Sequence, residues 1–491
     1  DADHLARASE LLESNKIYLA YRDFCLSDDF GDYYGRHCVI SKDGILPADK
    51  YLFAGNHKSV SKLGIHPPES HGRVTDLLGQ IRNELWGFND PEVMQLILGM
   101  AFITPFHSLF RKCATTTNAI PSIIIQGTTG TGKTTQLVLA SCFFGRFRES
   151  DVISFSATPK LINDLGHEFK DALYVVDDLK WGAMSQGLQS SLVQMLQAYV
   201  DGHGRDRLVN ANGSGEWTPS TGKEIRGTMC ISGEDLPTGE ASILGRFMVT
   251  SIRQANRNSS LLSRCLDASS HYSQVMAAYL AWHFRQPDAH DYLISHFDKL
   301  RKDFERSVPP GAVNAVRVCS QLALNLLGYI RLTEFMRSYE ILPATETTAL
   351  QNSHHSRLCS LQQERLLGIQ NETPVEKFLG VLKQLLASKR VSMVGASNSR
   401  SLPEIGIMEF EQNQAVLYLV PDVAFAEVQR ALATMNDRIP FSQQSLGHQF
   451  RESGYLVRTE SGRCTITKTI NGTPCRTYAL NASKVGLPQL F

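Results

Sequence analysis

The chain has 491 residues, 42% hydrophobic and 20% charged; this is ordinary globular composition, and at about 150 residues per domain it divides into about three domains. Lys+Arg and Asp+Glu both total 49, so net charge gives no support for a nucleic-acid partner and any basic contact surface is local. Ten cysteines without a C-x-x-C pair or zinc-spaced His/Cys cluster, and the lack of a signal peptide or membrane-length apolar run, give the expectation of reduced thiols in a cytoplasmic protein with no membrane partner.

The sequence opens at Asp1 without methionine, so a processed or truncated start is expected, with an upstream domain missing. Residues 1–117 read as a mixed α/β N-terminal domain. Short strands are expected at 17–21 and 37–40, and helical spacing of apolar residues at 74–86 and 91–106. From 118 to 256 apolar strands alternate with helices, the pattern of a parallel α/β sheet. The strands fall at 122–126, 151–154, 172–176, 228–232 and 247–252. Between the third and fourth lies a polar, glycine-rich interval, 202–227, with a turn signal at Asn212-Gly213-Ser214-Gly215. Residues 257–372 are helical by period, as at 275–284 and 315–336; the polar stretch 346–356, which holds His354 and His355, reads as a flexible crossing. From 373 to 491 helices at 375–388, 423–435 and 442–453, with a strand at 415–420, end in a ribbon, 464–470 and 475–480, joined at Asn471-Gly472-Thr473. Helices closed by a two-stranded ribbon suggest a winged helix-turn-helix.

The chemistry centres on Gly127-Thr128-Thr129-Gly130-Thr131-Gly132-Lys133-Thr134, with Thr135 following. It fits G-x-x-x-x-G-K-[ST] at every fixed position, between the apolar runs Ile123–Ile125 and Leu137–Ala140. A glycine turn feeding a helix N-terminus offers successive N–H groups to a polyphosphate, so ATP is the expected ligand. Lys133 would reach the β and γ phosphates, and the Thr134 hydroxyl would hold Mg²⁺.

About forty residues on, Leu173-Tyr174-Val175-Val176-Asp177-Asp178 is an apolar strand ending in two acids. Asp177 is expected beside Mg²⁺ and Asp178 as the group that orients or deprotonates the attacking water; a helix cap is the alternative for one of them. The next strand ends in Ser232-Gly233-Glu234-Asp235-Leu236-Pro237, where Ser232 and Glu234 are placed to contact the γ-phosphate or the water, though turn chemistry also explains the composition. Arg246 stands just ahead of the last strand, either as a guanidinium donated to a neighbouring subunit's site or as an ordinary surface cation.

Taken together, Gly127 to Thr135, Ser156-Ala157-Thr158-Pro159, the strand ending Asp177-Asp178-Leu179, the Ser232 to Pro237 tip and Arg246 resemble the replication ATPases of phages, plasmids and integrated mobile islands. These are AAA+ proteins related to superfamily-three and minichromosome-maintenance helicases. The resemblance covers 118–252 with specific motifs and 261 to the end more loosely. It implies an AAA+ core, a helical lid, a C-terminal winged helix, and a homo-hexameric ring that translocates on single-stranded or forked DNA beside other replication proteins; Arg317 of the lid reads either as a residue that approaches the nucleotide or as a solvated helix-surface cation. Superfamily-three enzymes usually carry an Asn after the fourth strand, where this chain has Ser232-Gly233-Glu234. No primase motif is seen.

In such rings the interval 202–227 inserts a DNA-gripping hairpin, and here it offers Arg205, Arg207, Lys223 and Arg226; a solvated loop is the competing reading. Arg451, Arg458, Arg463, Lys468 and Arg476 fall on the candidate recognition helix and wing, a surface suited to DNA or to protein docking. Two functions follow: an ATP-dependent DNA helicase for replication of a mobile element, or a non-translocating AAA+ initiator or regulatory switch.

Overall fold

A computed structural model describes residues 20–22, 25–49, 51–53, 57–113, 121–202, 207–210, 217–220, 224–237, 241–252, 257–371, 373–395, 402–411, 414–434, 439, 442–460 and 462–487. The chain divides into two compact units, Asp1–Thr238 with Ser242–Leu366, and Leu367–Phe491 with Gly239–Ala241.

In the first unit, a four-stranded antiparallel meander runs through Cys25–Leu26, Asp32–Tyr34, Cys38–Ser41 and Gly44–Pro47. It joins the parallel-sheet core through the buried Asp171, whose carboxylate accepts from Leu26 N (3.2 Å) and from Ser108 N (2.9 Å) and Oγ, while Tyr33 donates to its carbonyl. Helix α1, Pro91–Ile103, starts where the Asp90 carboxylate caps Glu92 N and Val93 N and Pro91 fixes the first helical φ. The run Pro91–Cys113 is long and apolar enough to cross a membrane, contrary to the sequence reading, yet it is almost wholly buried in the protein core.

Strand β1, Ile123–Gln126, is buried on both faces and leads through the glycine turn into helix α2, Lys133–Ser141. Strands β2 (Ile153–Ser154), β3 (Leu173–Leu179), β4 (Thr228–Gly233) and β5 (Met248–Ser251) complete a five-stranded sheet in the order β5-β1-β4-β3-β2. Every pairing is parallel. Continuous apolar runs suit strands covered on both faces, and each strand anticipated in the sequence is present, with ends shifted by a few residues. The order matters for the site, because β4 is inserted between the glycine-turn strand and the acidic strand. Its tip therefore faces both.

Helix α3, Ala315–Ser338, crosses α1 where Gly99 meets Gly328; a Cβ on Gly328 would stand 2.0 Å from the Gly99 carbonyl oxygen. Helix α4, Ala344–Asn371, includes the polar stretch read as a flexible crossing. Its polar side chains have partners on α3: Gln351 donates to Thr333 Oγ1 (2.9 Å), and buried His354 lies 2.9 Å from Asn325 Oδ1, whose amide in turn donates to Leu96 O of α1. Composition signals solvent there, whereas the structure satisfies those groups internally.

The second unit packs helices Pro374–Ala387, Pro421–Ala433 and Gln443–Glu452 on a sheet around Phe378, Leu382, Leu417, Leu446, Phe450 and Leu480. That sheet has six strands, more than the ribbon expected. The unanticipated Glu404–Glu411 pairs with Gln414–Leu419, which pairs with the long strand Thr473–Asn481; Ile466–Ile470 adds to the same long strand. Polar alternation along Glu404–Glu411 conceals a strand buried on one side only at its start.

Candidate nucleotide site

Two glycines give the loop its shape. Gly130 and Gly132 both have φ of +82°, the left-handed region in which a side chain is strained. A Cβ at Gly132 would in addition stand 2.9 Å from Asn89 Nδ2. That same amide donates to Thr131 O (2.9 Å), and Thr131 Oγ1 donates to Thr128 O (2.8 Å), so the turn is braced from outside and within. Helix α2 begins at Lys133 with no side chain capping its first turn, which leaves its N-terminal N–H groups and dipole directed at the loop. Lys133 Nζ folds back on the carbonyls of Gly127 (2.6 Å) and Thr128 (2.9 Å). Gln126, Thr129 and Thr135 border the turn, with Thr135 Oγ1 on Glu149 (2.6 Å).

The acidic strand is bent where it meets the loop. Ile231 pairs with Val176 and Gly233 with Leu179, so Asp177 and Asp178 together oppose the single residue Ser232. Asp178 takes φ of +64° at this bulge. Bulges re-aim side chains beside active sites, and a non-glycine residue at positive φ carries strain there. As a result Asp177 accepts hydrogen bonds from Thr134 Oγ1 (2.9 Å) and from Ser232 Oγ, and the two hydroxyls lie 3.4 Å apart. Two strand-end residues and one from the first turn of α2 thus converge on one point. Asp178 points elsewhere, to Lys180 Nζ at 2.8 Å. Glu234 reaches over the loop to accept from Thr129 Oγ1. The neighbouring Asp235 holds the turn after β3, accepting from Trp181 N (2.7 Å) and Gly182 N (2.6 Å).

Burial lowers the Lys133 pKa, opposed by the carboxylates of Glu234, Asp177 and Asp178. The amine is therefore a cation held among three acids beside a row of N–H groups, an environment suited to a polyphosphate. Among the described residues no three His, Cys, Asp or Glu side chains cluster as a metal cage. A Mg²⁺ shared with phosphates needs none, and the hard oxygens of Thr134, Asp177 and Ser232 fit it.

Arg246 is far from its own loop. Met248 pairs with Ile123 in a parallel register, so Arg246 lies at the N-terminal edge of the sheet and Gly127 at the C-terminal edge. The four residues from Ile123 to Gly127 alone separate the two along the strands by about 13 Å at 3.3 Å per residue. Its guanidinium bonds Asp201 (2.9 and 3.3 Å) and Ser242 O (3.0 Å), and Arg317 shares Asp201 at 3.4 Å instead of approaching the nucleotide loop.

The interval 202–227 does contain a hairpin, Arg207–Asn210 antiparallel to Trp217–Ser220. The predicted turn at 212–215, Arg205 and Lys223 lie outside the described residues, as does the side chain of Arg207. Arg226 bonds Ser108 Oγ at 3.4 Å and faces the buried Asp171, whose desolvated carboxylate its charge offsets. In the second unit Arg458 pairs with Glu411 (2.6 Å), Lys468 with Glu409 (2.6 Å) and Arg476 with Glu460, while Arg451 donates to the carbonyl of Arg463. Arg458, Lys468 and Arg476 are thereby locally neutralised. Asn89 and Asp201 had no motif to mark them; each works through a partner remote in sequence.

No protein-family model and no curated protein matches the chain. Its fold is similar to that of a solved structure described as "SCCmec type IV Cch - active helicase", with TM-score 0.61 and 14% identity over 99% of this chain and 84% of that one. At that identity the likeness is one of fold.

Proposed function

We propose that the chain is an ATP-dependent DNA helicase of a mobile element, working as a homo-hexameric ring with an AAA+ core, a lid built on α3 and α4, and a C-terminal winged helix. The observation that carries it is the convergence of Thr134, Asp177 and Ser232 beside an uncapped glycine turn, on a fold shared with a protein described as an active helicase. Thr134 and Asp177 would hold Mg²⁺, which when bound neutralises charge on the phosphates. Lys133 leaves the Gly127 and Thr128 carbonyls to bind the β and γ phosphates. Asp178, released from Lys180, accepts a proton from water as the water oxygen bonds to the γ phosphorus and the β–γ bridging bond breaks, leaving ADP and phosphate. Ser232 orients Asp177, and Glu234 senses the γ-phosphate through the Thr129 side of the loop.

Arg246 acts on a neighbouring subunit. Its place at the opposite sheet edge from its own loop, about 13 Å or more away along the strands, supports this assignment. The Arg207–Asn210 hairpin, with Arg205 and Lys223, would follow the phosphates of one strand. Pairing of the C-terminal cations with Glu409, Glu411 and Glu460 favours, for the second unit, a protein-docking role or a weak DNA contact over tight DNA binding. A non-translocating switch remains the competing function. Lys133→Ala is expected to abolish both ATP hydrolysis and separation of a forked duplex; a variant that still unwinds with ATP would overturn the helicase reading.

A further inference from the structure

Asp201 stands at a junction that neither the glycine turn nor the acidic strand accounts for. It caps the C-terminal end of the helix Gln186–Val200 and immediately precedes Gly202, where the hairpin leaves the core. Two arginines converge on its carboxylate: Arg246 through Nε (3.3 Å) and Nη2 (2.9 Å), and Arg317 from the start of α3 at 3.4 Å. The Arg246 head is also tied to Ser242 O (3.0 Å), and its own carbonyl accepts from Gln321 of α3. Gly245, just before it, is pressed on Asn314 so closely that a Cβ would stand 2.6 Å from the Asn314 amide nitrogen. Arg246 thus has a fixed backbone and a head group held by one carboxylate.

The hairpin root is equally well tied. Ile225 N donates to Gly202 O (3.1 Å), Arg111 bonds Ile225 O (2.6 Å) and Gly202 O (3.4 Å), and Tyr199 OH bonds Gly227 O (2.9 Å). Gly202 has φ of +78°, and a Cβ there would stand 2.6 Å from the Arg111 guanidinium. A displacement of Asp201 is therefore passed to Gly202 and, through the Gly202–Ile225 bond, to Ile225, which flank the interval that holds the hairpin.

We propose that Asp201 is a latch that stands in for phosphate: it holds Arg246 and Arg317 while the neighbouring site is empty, and gives up Arg246 when that site fills. The inference rests on the intersubunit role of Arg246 proposed above. An aspartate and a triphosphate are both anions that a guanidinium can bond bidentately, and one guanidinium cannot serve both. Exchange of Arg246 between them leaves Asp201 with Arg317 alone, so the residue at the hairpin root changes partners whenever the nucleotide state changes. Asp201 is a positioning residue in this scheme, and it touches no substrate.

Full-length protein with Asp201→Asn keeps the side-chain size and loses the charge. Steady-state ATP hydrolysis, measured with and without forked DNA, is expected to show KM for ATP lowered about three- to fivefold, the scale of a partly exposed ion pair no longer competing for Arg246. Stimulation of hydrolysis by DNA should fall to nearly none, because the hairpin root no longer reports the exchange. Asp201→Glu should restore both values toward those of the unaltered chain, and Arg317→Gln, which removes the cation that shares Asp201 with Arg246, should raise KM for ATP, a shift in the opposite direction. For Asp201→Asn the two changes are required together; either one alone, or neither, overturns the latch. Mixing Lys133→Ala with Arg246→Ala chains tests the underlying reading separately. Recovered hydrolysis in the mixture supports the shared site, and its failure removes that site while a lone Asp201 result would not.

Discussion

Asn89 shows how much of the nucleotide loop depends on a residue outside it. Its side chain is buried, its amide donates to Thr131 O, and it occupies the space a Cβ on Gly132 would need. Loss of a buried donor opposite a carbonyl costs about 1–3 kcal/mol, so Asn89→Ala should raise KM for ATP about tenfold while leaving kcat closer to its original value. Steady-state kinetics check this, and an unchanged KM would remove Asn89 from the loop's support. At this scale the sequence displays Lys133, Thr134 and Asp177 because the chemistry fixes their spacing. It gives no sign of Asn89, which sits next to the more obvious Asp90 helix cap. Nor does it reveal that the bulge turns Asp178 to its near neighbour Lys180, or that the fold brings Arg226 to Asp171.

Among the elements, α1 and α3 cross in close backbone contact. With no side chain at Gly99 or Gly328, the two backbones approach until a Cβ on Gly328 would stand 2.0 Å from Gly99 O. Overpacking of this kind costs about 1–3 kcal/mol, and rigid backbone on the receiving side places Gly328→Ala toward the upper end. Thermal unfolding should show a lower Tm for Gly328→Ala than for Gly380→Ala, where nothing lies within 4 Å of the added carbon. Helical period alone identified both α1 and α3, but a glycine in such a pattern reads only as a small loss of propensity. The α4 helix was missed for the opposite reason. Its His354 and Gln351 look solvent-facing until Asn325 and Thr333 of α3 are seen to receive them.

Across the whole first unit, stability should fall in mild acid. Burial pushes the pKa of His107 and of His354 down to about 3, and that of His283 well below its usual value. The unfolded chain then binds more protons than the folded one at any pH between about 3 and 6.5, so stability is full above pH 6.5 and is lost as pH falls through that window. From pH 7 to pH 5 the loss is up to about 2 kcal/mol for each of His107 and His354. Urea unfolding followed at those two pH values checks it, and equal midpoints would contradict the neutral burial of these rings.

By itself the sequence determined a phosphate loop, its acidic partner strand and a parallel core, because a glycine turn, a Lys-Thr pair and continuous apolar runs are local requirements of that chemistry and of a sheet covered on both faces. Tertiary structure decided how those pieces face one another. The order β5-β1-β4-β3-β2 brings Ser232 to Asp177 and sends Arg246 to the far edge, and parallel registry fixes both placements at once. Only the folded chain brings Arg246 and Arg317 onto Asp201. A carboxylate acquires such partners through space, and no spacing along the chain encodes them.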